Sequence, residues 1–220
     1  MLRMLKRWGG IGIRRWALVP TRVGRHRKWS YIPKNHAFVV HYLFKMLRYR
    51  GKNIGIHEIE TVIQSILPGS QLIGDKYPDY IFELDSLARE DGLSILVIYR
   101  DCRDVTGSVL RRVHREWRNM RFFIKKLDSA EKVAKRWVRA IESMERNKDI
   151  VHIIRYEDLA REKKQTLKAL GQWLGVDSTG FPANIIKNTR IGTFKSALSD
   201  EDLEKVMDVA GPTMTRLGYL

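Results

Sequence analysis

The stretch Ser94-Ile-Leu-Val-Ile-Tyr-Arg-Asp-Cys-Arg-Asp-Val-Thr-Gly-Ser-Val-Leu-Arg-Arg-Val-His-Arg-Glu-Trp117 decides the fold. It opens with a short apolar, β-branched run, Ile95 to Tyr99, that reads as a strand buried on both faces. The run stops at four charges, Arg100, Asp101, Arg103 and Asp104. The pattern then turns helical, with Val105, Val109, Val113 and Trp117 spaced to share one face. A buried strand passing directly into a helix is half of a βαβ unit, and in open α/β sheets ligands sit at that carboxyl edge. Two readings of the charged cluster stand side by side. In one, Arg100 and Ser108 converge on an anion, using a guanidinium, a hydroxyl and the free N–H groups of a helix start. In the other, the four charges cap the helix and pair with each other.

Further along, Ser129 is placed to cap a helix running to about Arg146, with Val133, Trp137, Ala140, Ile141 and Met144 inward. Ile150 to Ile154 reads as a second buried strand, followed by a helix from Lys163 to Trp173 closed by Gly175. Ser199 begins a last helix with Glu201 and Asp202 in its first turn, which Gly211-Pro212 is expected to interrupt. Upstream, helices are expected over 36–50 and 56–67, a short strand over 71–74 and a helix over 81–89. Strands alternating with amphipathic helices give an α/β fold with a three-layer parallel sheet. Three strands are few for such a sheet, so a first or edge strand is altered or missing.

The 220 residues suffice for one such domain. The charge is uneven: of 41 Lys and Arg, fourteen precede the first acidic residue, Glu58, and the rest of the chain is nearly balanced. Residues 1–34 therefore read as a basic arm and 35–220 as the α/β domain. The arm has three readings: a targeting presequence, a surface for a polyanion or anionic membrane, and a solvated tail. The single cysteine, Cys102, excludes an internal disulfide and a cysteine-based zinc site and fits the cytoplasm. The six histidines lack metal-site spacing, so no metal is expected. No apolar run approaches the length of a spanning helix. Arg50-Gly-Lys-Asn-Ile-Gly55 lacks the Gly-x-x-x-x-Gly-Lys-Ser/Thr pattern of nucleoside triphosphate binders.

Four segments together resemble the sulfotransferases that use 3′-phosphoadenosine 5′-phosphosulfate (PAPS). Ile98 to Ser108 is similar to that family's 3′-phosphate motif, a hydrophobic strand, then R-D-P-R-D, then a serine eight residues after the first arginine. Gly74-Asp-Lys-Tyr-Pro-Asp-Tyr80 resembles G-E-K-T-P-x-Y, and Val151 to Leu159 with the helix ending Trp-Leu-Gly175 resembles the Y-E-D-L segment. Ile191-Gly-Thr-Phe-Lys195, then Leu198-Ser199 and Leu217-Gly-Tyr219, resembles the G-x-W-K loop and last helix. The resemblance spans about residues 70–220 and implies the P-loop-like fold of that family. It also implies sulfuryl transfer from PAPS, with 3′-phosphoadenosine 5′-phosphate (PAP) as product, to a hydroxyl or amine of a small-molecule or glycan acceptor.

By position, the resemblance puts Arg100 and Ser108 on the 3′-phosphate. Tyr156 falls near the nucleotide, with pinning of the Glu157-Asp158 turn as the other role for its hydroxyl. Arg190 and Lys195 fall in the loop covering the nucleotide, and Lys76 beside the acceptor. The base is left open among His36, His41, His57 and Asp75. Cys102 replaces the family's proline, Tyr77 its threonine and Phe194 its tryptophan. No segment matches the family's 5′-phosphosulfate loop, G-x-P-R-S-G-T-T. The alternative function is therefore a non-catalytic, degenerate member that binds nucleic acid, a sulfated glycan or an anionic membrane through the arm.

Overall fold

A computed structural model describes residues 78–115 and 126–220, with scattered positions between 44 and 76. The chain forms two compact units, Met1–Tyr77 and Pro78–Leu220. In the first, Leu47–Tyr49 is a 3-10 turn, Val62 is buried and Lys45 Nζ donates to Ser65 Oγ at 2.7 Å. Leu47, on the expected inward face, is exposed. The basic arm, the 71–74 strand and most of the two expected helices lie outside the described residues.

In the second unit β1, Leu96–Tyr99, pairs in parallel with β2, His152–Arg155. Both begin slightly later than the apolar runs predict; Ile150 and Val151 sit in the turn before β2. The register sets Val97 opposite Ile153 and Tyr99 opposite Arg155, so both strands end at one edge. The expectation that β1 is buried on both faces is corrected. Val97 is buried, but Leu96 and Ile98 are 38% and 51% exposed. Side chains alternate along a strand, and among the described residues only the Val97 face is covered at β1.

Before β1, the expected 81–89 helix divides into a 3-10 turn, Pro78–Phe82, and a single helical turn α1, Leu84–Leu87. Tertiary contacts explain the break: Ser143 Oγ donates to the Ile81 carbonyl at 2.6 Å and Asn147 Nδ2 to Asp85 Oδ1 at 2.7 Å. Ser143 belongs to α3, Ala130–Arg146, and Asn147 is its C-cap; at the other end Ser129 caps the helix, its Oγ accepting the Lys132 N–H. Four of its five expected core residues are buried, Ala140 is half-buried, and Ala130, Ala134 and Ser143 join them.

Between β1 and α3 runs α2, Cys102–Arg115. Its buried stripe is Cys102, Thr106, Leu110 and Val113, rotated from the expected valine face, where Val105 and Val109 are half-buried. Trp117 lies outside the described residues. Gly107 marks a close approach: a Cβ there would sit 2.9 Å from Ala197 Cβ.

After β2 come α4, Tyr156–Arg161, and α5, Lys163–Leu174, closed by Gly175 as expected. The last helix, α6, spans Asp200–Arg216, and Ser199 Oγ accepts the Asp202 N–H at 3.1 Å. Here the expected interruption is overturned, because α6 runs through Gly211-Pro212. An interior proline costs about 3 kcal/mol. Val206, Ala210, Thr213 and Met214 are buried on both sides of it, and packing of such a face is the dominant source of helix stability in proteins. Buried Ala134 and Ala210, with no solvent exposure, belong to the common core that α3 and α6 share.

Candidate functional site

Asp101 begins α2. Its Oδ1 accepts the Arg103 N–H at 2.8 Å and its carbonyl accepts the Val105 N–H at 3.0 Å, as an N-cap does. Cys102 is then the first helical residue, the position where proline is favoured because its N–H has no partner inside the helix. The cysteine keeps that geometry and is fully buried. Burial pushes its thiol from the ordinary value of 9.0 up to about 12. Below about pH 9 the folded and unfolded thiols both hold their proton. Between about 9 and 12 only the unfolded chain releases it, so this group makes stability fall as pH rises through that window. Urea unfolding across the window should show this fall in the native protein and a shallower one in Cys102→Ala; equal slopes would remove the assignment.

Both readings of the charged cluster meet in the geometry. Arg103 pairs with Asp101, Nη2 to Oδ2 at 2.7 Å, and lies over the Phe194 ring at 4.3 Å. Arg100 Nη2 pairs with Asp104 Oδ2 at 2.9 Å and also donates to the Arg190 carbonyl. Its guanidinium stands 5.0 Å from the centre of the Tyr156 ring. Its Nε is buried and has no hydrogen-bond partner among the described residues.

Asp104 fastens the loop of 3-10 turns Asn188–Arg190 and Thr193–Ser196 over this edge. Its carboxylate accepts the Gly192 N–H at 2.8 Å, the Phe194 N–H at 2.9 Å and the Thr193 hydroxyl at 3.1 Å. The Tyr156 hydroxyl donates to the Lys187 carbonyl at 3.1 Å. The tyrosine thus ties the loop, and not the Glu157-Asp158 turn, to the strand edge. The two strand ends are joined by Glu157, 3% exposed, whose Oε1 accepts the Asp101 N–H at 3.1 Å. From the core, Trp137 Nε1 donates to the Arg100 carbonyl at 2.8 Å.

Of the residues selected from sequence, Arg100, Tyr156 and Arg190 come together here. Ser108 lies one helical turn beyond Asp104 on α2, half-buried, with no hydrogen-bond partner among the described residues. Lys195 is exposed in the Thr193–Ser196 turn of the same loop. Lys76 is exposed and belongs to the first unit. His36, His41, His57 and Asp75 lie outside the described residues. Asp104, Glu157 and Lys187 were missed as site residues; what reveals them is a set of bonds to positions 31 to 90 residues away, beside the short-range ion pairs of Asp104 and Glu157.

The charge balance favours an anion. Arg100, Arg103 and Arg155 each face a carboxylate, while Lys187, Arg190 and Lys195 have none within ion-pair distance among the described residues. These three exposed cations are carried by the loop whose Lys187 and Arg190 carbonyls meet Tyr156 and Arg100 at the strand edge, where the Arg100 Nε lacks an acceptor; phosphate or sulfate groups suit such a set. The residues present therefore fit an anionic group. Among the described residues no cluster of His, Cys, Asp and Glu could hold a metal, and no helix is long and apolar enough to cross a membrane.

No curated protein and no solved structure matches this chain. Compared with known families, it matches the Sulfotransferase family over residues 17–180, well over half its length. That span starts earlier than the resemblance read from about residue 70, and it stops before the 188–197 loop. It contains the β1–α2 turn, β2 and the Y-E-D-L turn, which build the strand edge beneath that loop: the chain belongs to the sulfotransferase family.

Proposed function

We propose that this protein transfers a sulfuryl group from PAPS to a hydroxyl or amine of a small-molecule or glycan acceptor. Sulfuryl transfer is the chemistry of its family; the donor and the residue roles are our reading. Arg100 and Ser108 hold the 3′-phosphate. Tyr156 packs beside the nucleotide, and Arg190 and Lys195, with Lys187, add positive charge from the loop above. One S–O bond breaks between sulfur and the 5′-phosphate, and one bond forms from sulfur to the acceptor atom, whose proton passes to a basic side chain or to water. The leaving PAP carries the charge released, and fixed cations placed in advance stabilise such charge better than water can.

The observation carrying this reading is the meeting of Arg100, Tyr156 and the Arg190 loop at one strand edge, a loop whose own cations have no carboxylate partner among the described residues. Ser108 supplies a gentle test, because its hydroxyl has no structural bond to lose among the described residues. PAP should raise the melting temperature of the wild-type protein. Ser108→Ala should melt at the wild-type temperature without ligand yet bind PAP roughly ten- to hundredfold more weakly, the effect of losing a hydrogen bond to a charged group. An undiminished PAP shift in Ser108→Ala would remove the serine from the 3′-phosphate site.

A further inference from the structure

Residues 217–220 supply no charged side chain to the strand edge, yet Tyr219 reaches both of its turns. The helix α6 ends with Gly218 in the left-handed region, φ 70°. The Gly218 N–H donates to the Thr215 carbonyl at 3.0 Å and the Tyr219 N–H to the Met214 carbonyl at 2.9 Å. This closing turn needs a residue without Cβ, and it redirects the chain from the core onto the sheet edge.

We propose that Tyr219 is a positioning residue of the nucleotide site, acting through Glu157 on the turn between Arg100 and Ser108. The inference rests on the reading of that edge as a PAPS site. Glu157 is a buried carboxylate with one hydrogen-bond donor on each oxygen, and the Arg155 Nε stands 3.5 Å from Oε2 as its ion-pair partner. Oε1 takes the Asp101 N–H at 3.1 Å, and Oε2 takes the Tyr219 hydroxyl at 2.9 Å. A buried carboxylate missing one donor moves toward whatever donor or water it can reach. Such a move would release Asp101, which follows Arg100 directly and caps the helix bearing Ser108.

The tyrosine is itself held from several sides. The Arg155 guanidinium lies 3.9 Å from the centre of its ring, and Arg155 Nη2 donates to the Gly218 carbonyl at 3.4 Å. Arg103 Nη2 donates to the Tyr219 carbonyl at 3.2 Å, and Tyr99 meets the ring edge-on at 6.3 Å. Residues 218–219 thereby restrain two arginines as well as the carboxylate. Burial, with the Glu157 charge, raises the Tyr219 phenol well above its ordinary range, so it stays a donor at every working pH.

The test is titration calorimetry of the full chain with PAP, at a low temperature where every variant is folded. Tyr219→Phe keeps the ring under Arg155 and removes only the hydroxyl. It should weaken PAP binding roughly tenfold. Glu157→Gln should weaken it as well, and the double variant should be little worse than either alone, because the two groups act as one unit. Ile141→Val, in the core of α3, should lower the melting temperature and leave PAP affinity at the wild-type value, separating positioning from loss of stability. Wild-type affinity in Tyr219→Phe overturns the inference while the PAPS reading stands. A wild-type protein that binds no PAP removes the PAPS reading, and the inference with it.

Discussion

Asp104→Ala will lower stability by about 3–5 kcal/mol, the usual cost of breaking a buried, hydrogen-bonded ion pair. Four donors converge on this carboxylate: the Arg100 guanidinium, the Gly192 and Phe194 N–H groups and the Thr193 hydroxyl. Its side chain has no exposed surface, so water cannot replace it without the loop opening. Typical domains are stable by about 5–15 kcal/mol, so this loss is a large fraction of the total. Asp104→Asn is the milder version. Its amide oxygen still accepts, but its NH2 group must face a donor that the second carboxylate oxygen served. Urea unfolding should rank wild type above Asn above Ala. A midpoint for Asp104→Ala equal to wild type would mean that the 188–197 loop is not held by this residue.

Trp137→Ala should cost a similar amount, about 3–5 kcal/mol, through the cavity left by a core indole. The informative comparison is Trp137→Phe. Phenylalanine restores most of the buried ring and loses the Nε1 bond to the Arg100 carbonyl. A buried carbonyl left unpaired costs about 1–3 kcal/mol, and this one belongs to the residue assigned to the 3′-phosphate. Trp137→Phe should therefore be destabilised less than Trp137→Ala, yet lose PAP affinity out of proportion to that stability change. If it bound PAP as tightly as wild type, the indole would be a core residue only.

What was legible in the sequence follows the range of the interactions involved. The caps Ser129 and Ser199, the closing Gly175 and the strand-to-helix turn at Arg100 depend on neighbours a few residues away, and each lies where the local pattern put it. The α6 helix was misjudged because Pro212 is a strong local signal that packing overrides. Burial of β1 on both faces was misjudged because an apolar run does not say how many layers will cover it. The 81–89 helix broke where Ser143 and Asn147, some sixty residues later, bond its backbone and side chains. The site was half legible. Arg100, Tyr156 and Arg190 could be named from motifs, whereas Asp104 and Glu157 looked like ordinary helix-start acids. Their importance lies in partners on the 188–197 loop and at Asp101, which no periodicity reveals.

The central claim, that this edge recognises a 3′-phosphate, is tested most directly by comparing two nucleotides differing in that group alone. Calorimetric titration of the wild-type chain should show PAP binding at least roughly tenfold tighter than adenosine 5′-monophosphate, the difference expected for charge-assisted hydrogen bonds to the extra phosphate. In Ser108→Ala the gap should narrow through weaker PAP binding, with the monophosphate unaffected. Equal affinity of the wild-type protein for the two nucleotides would contradict the account.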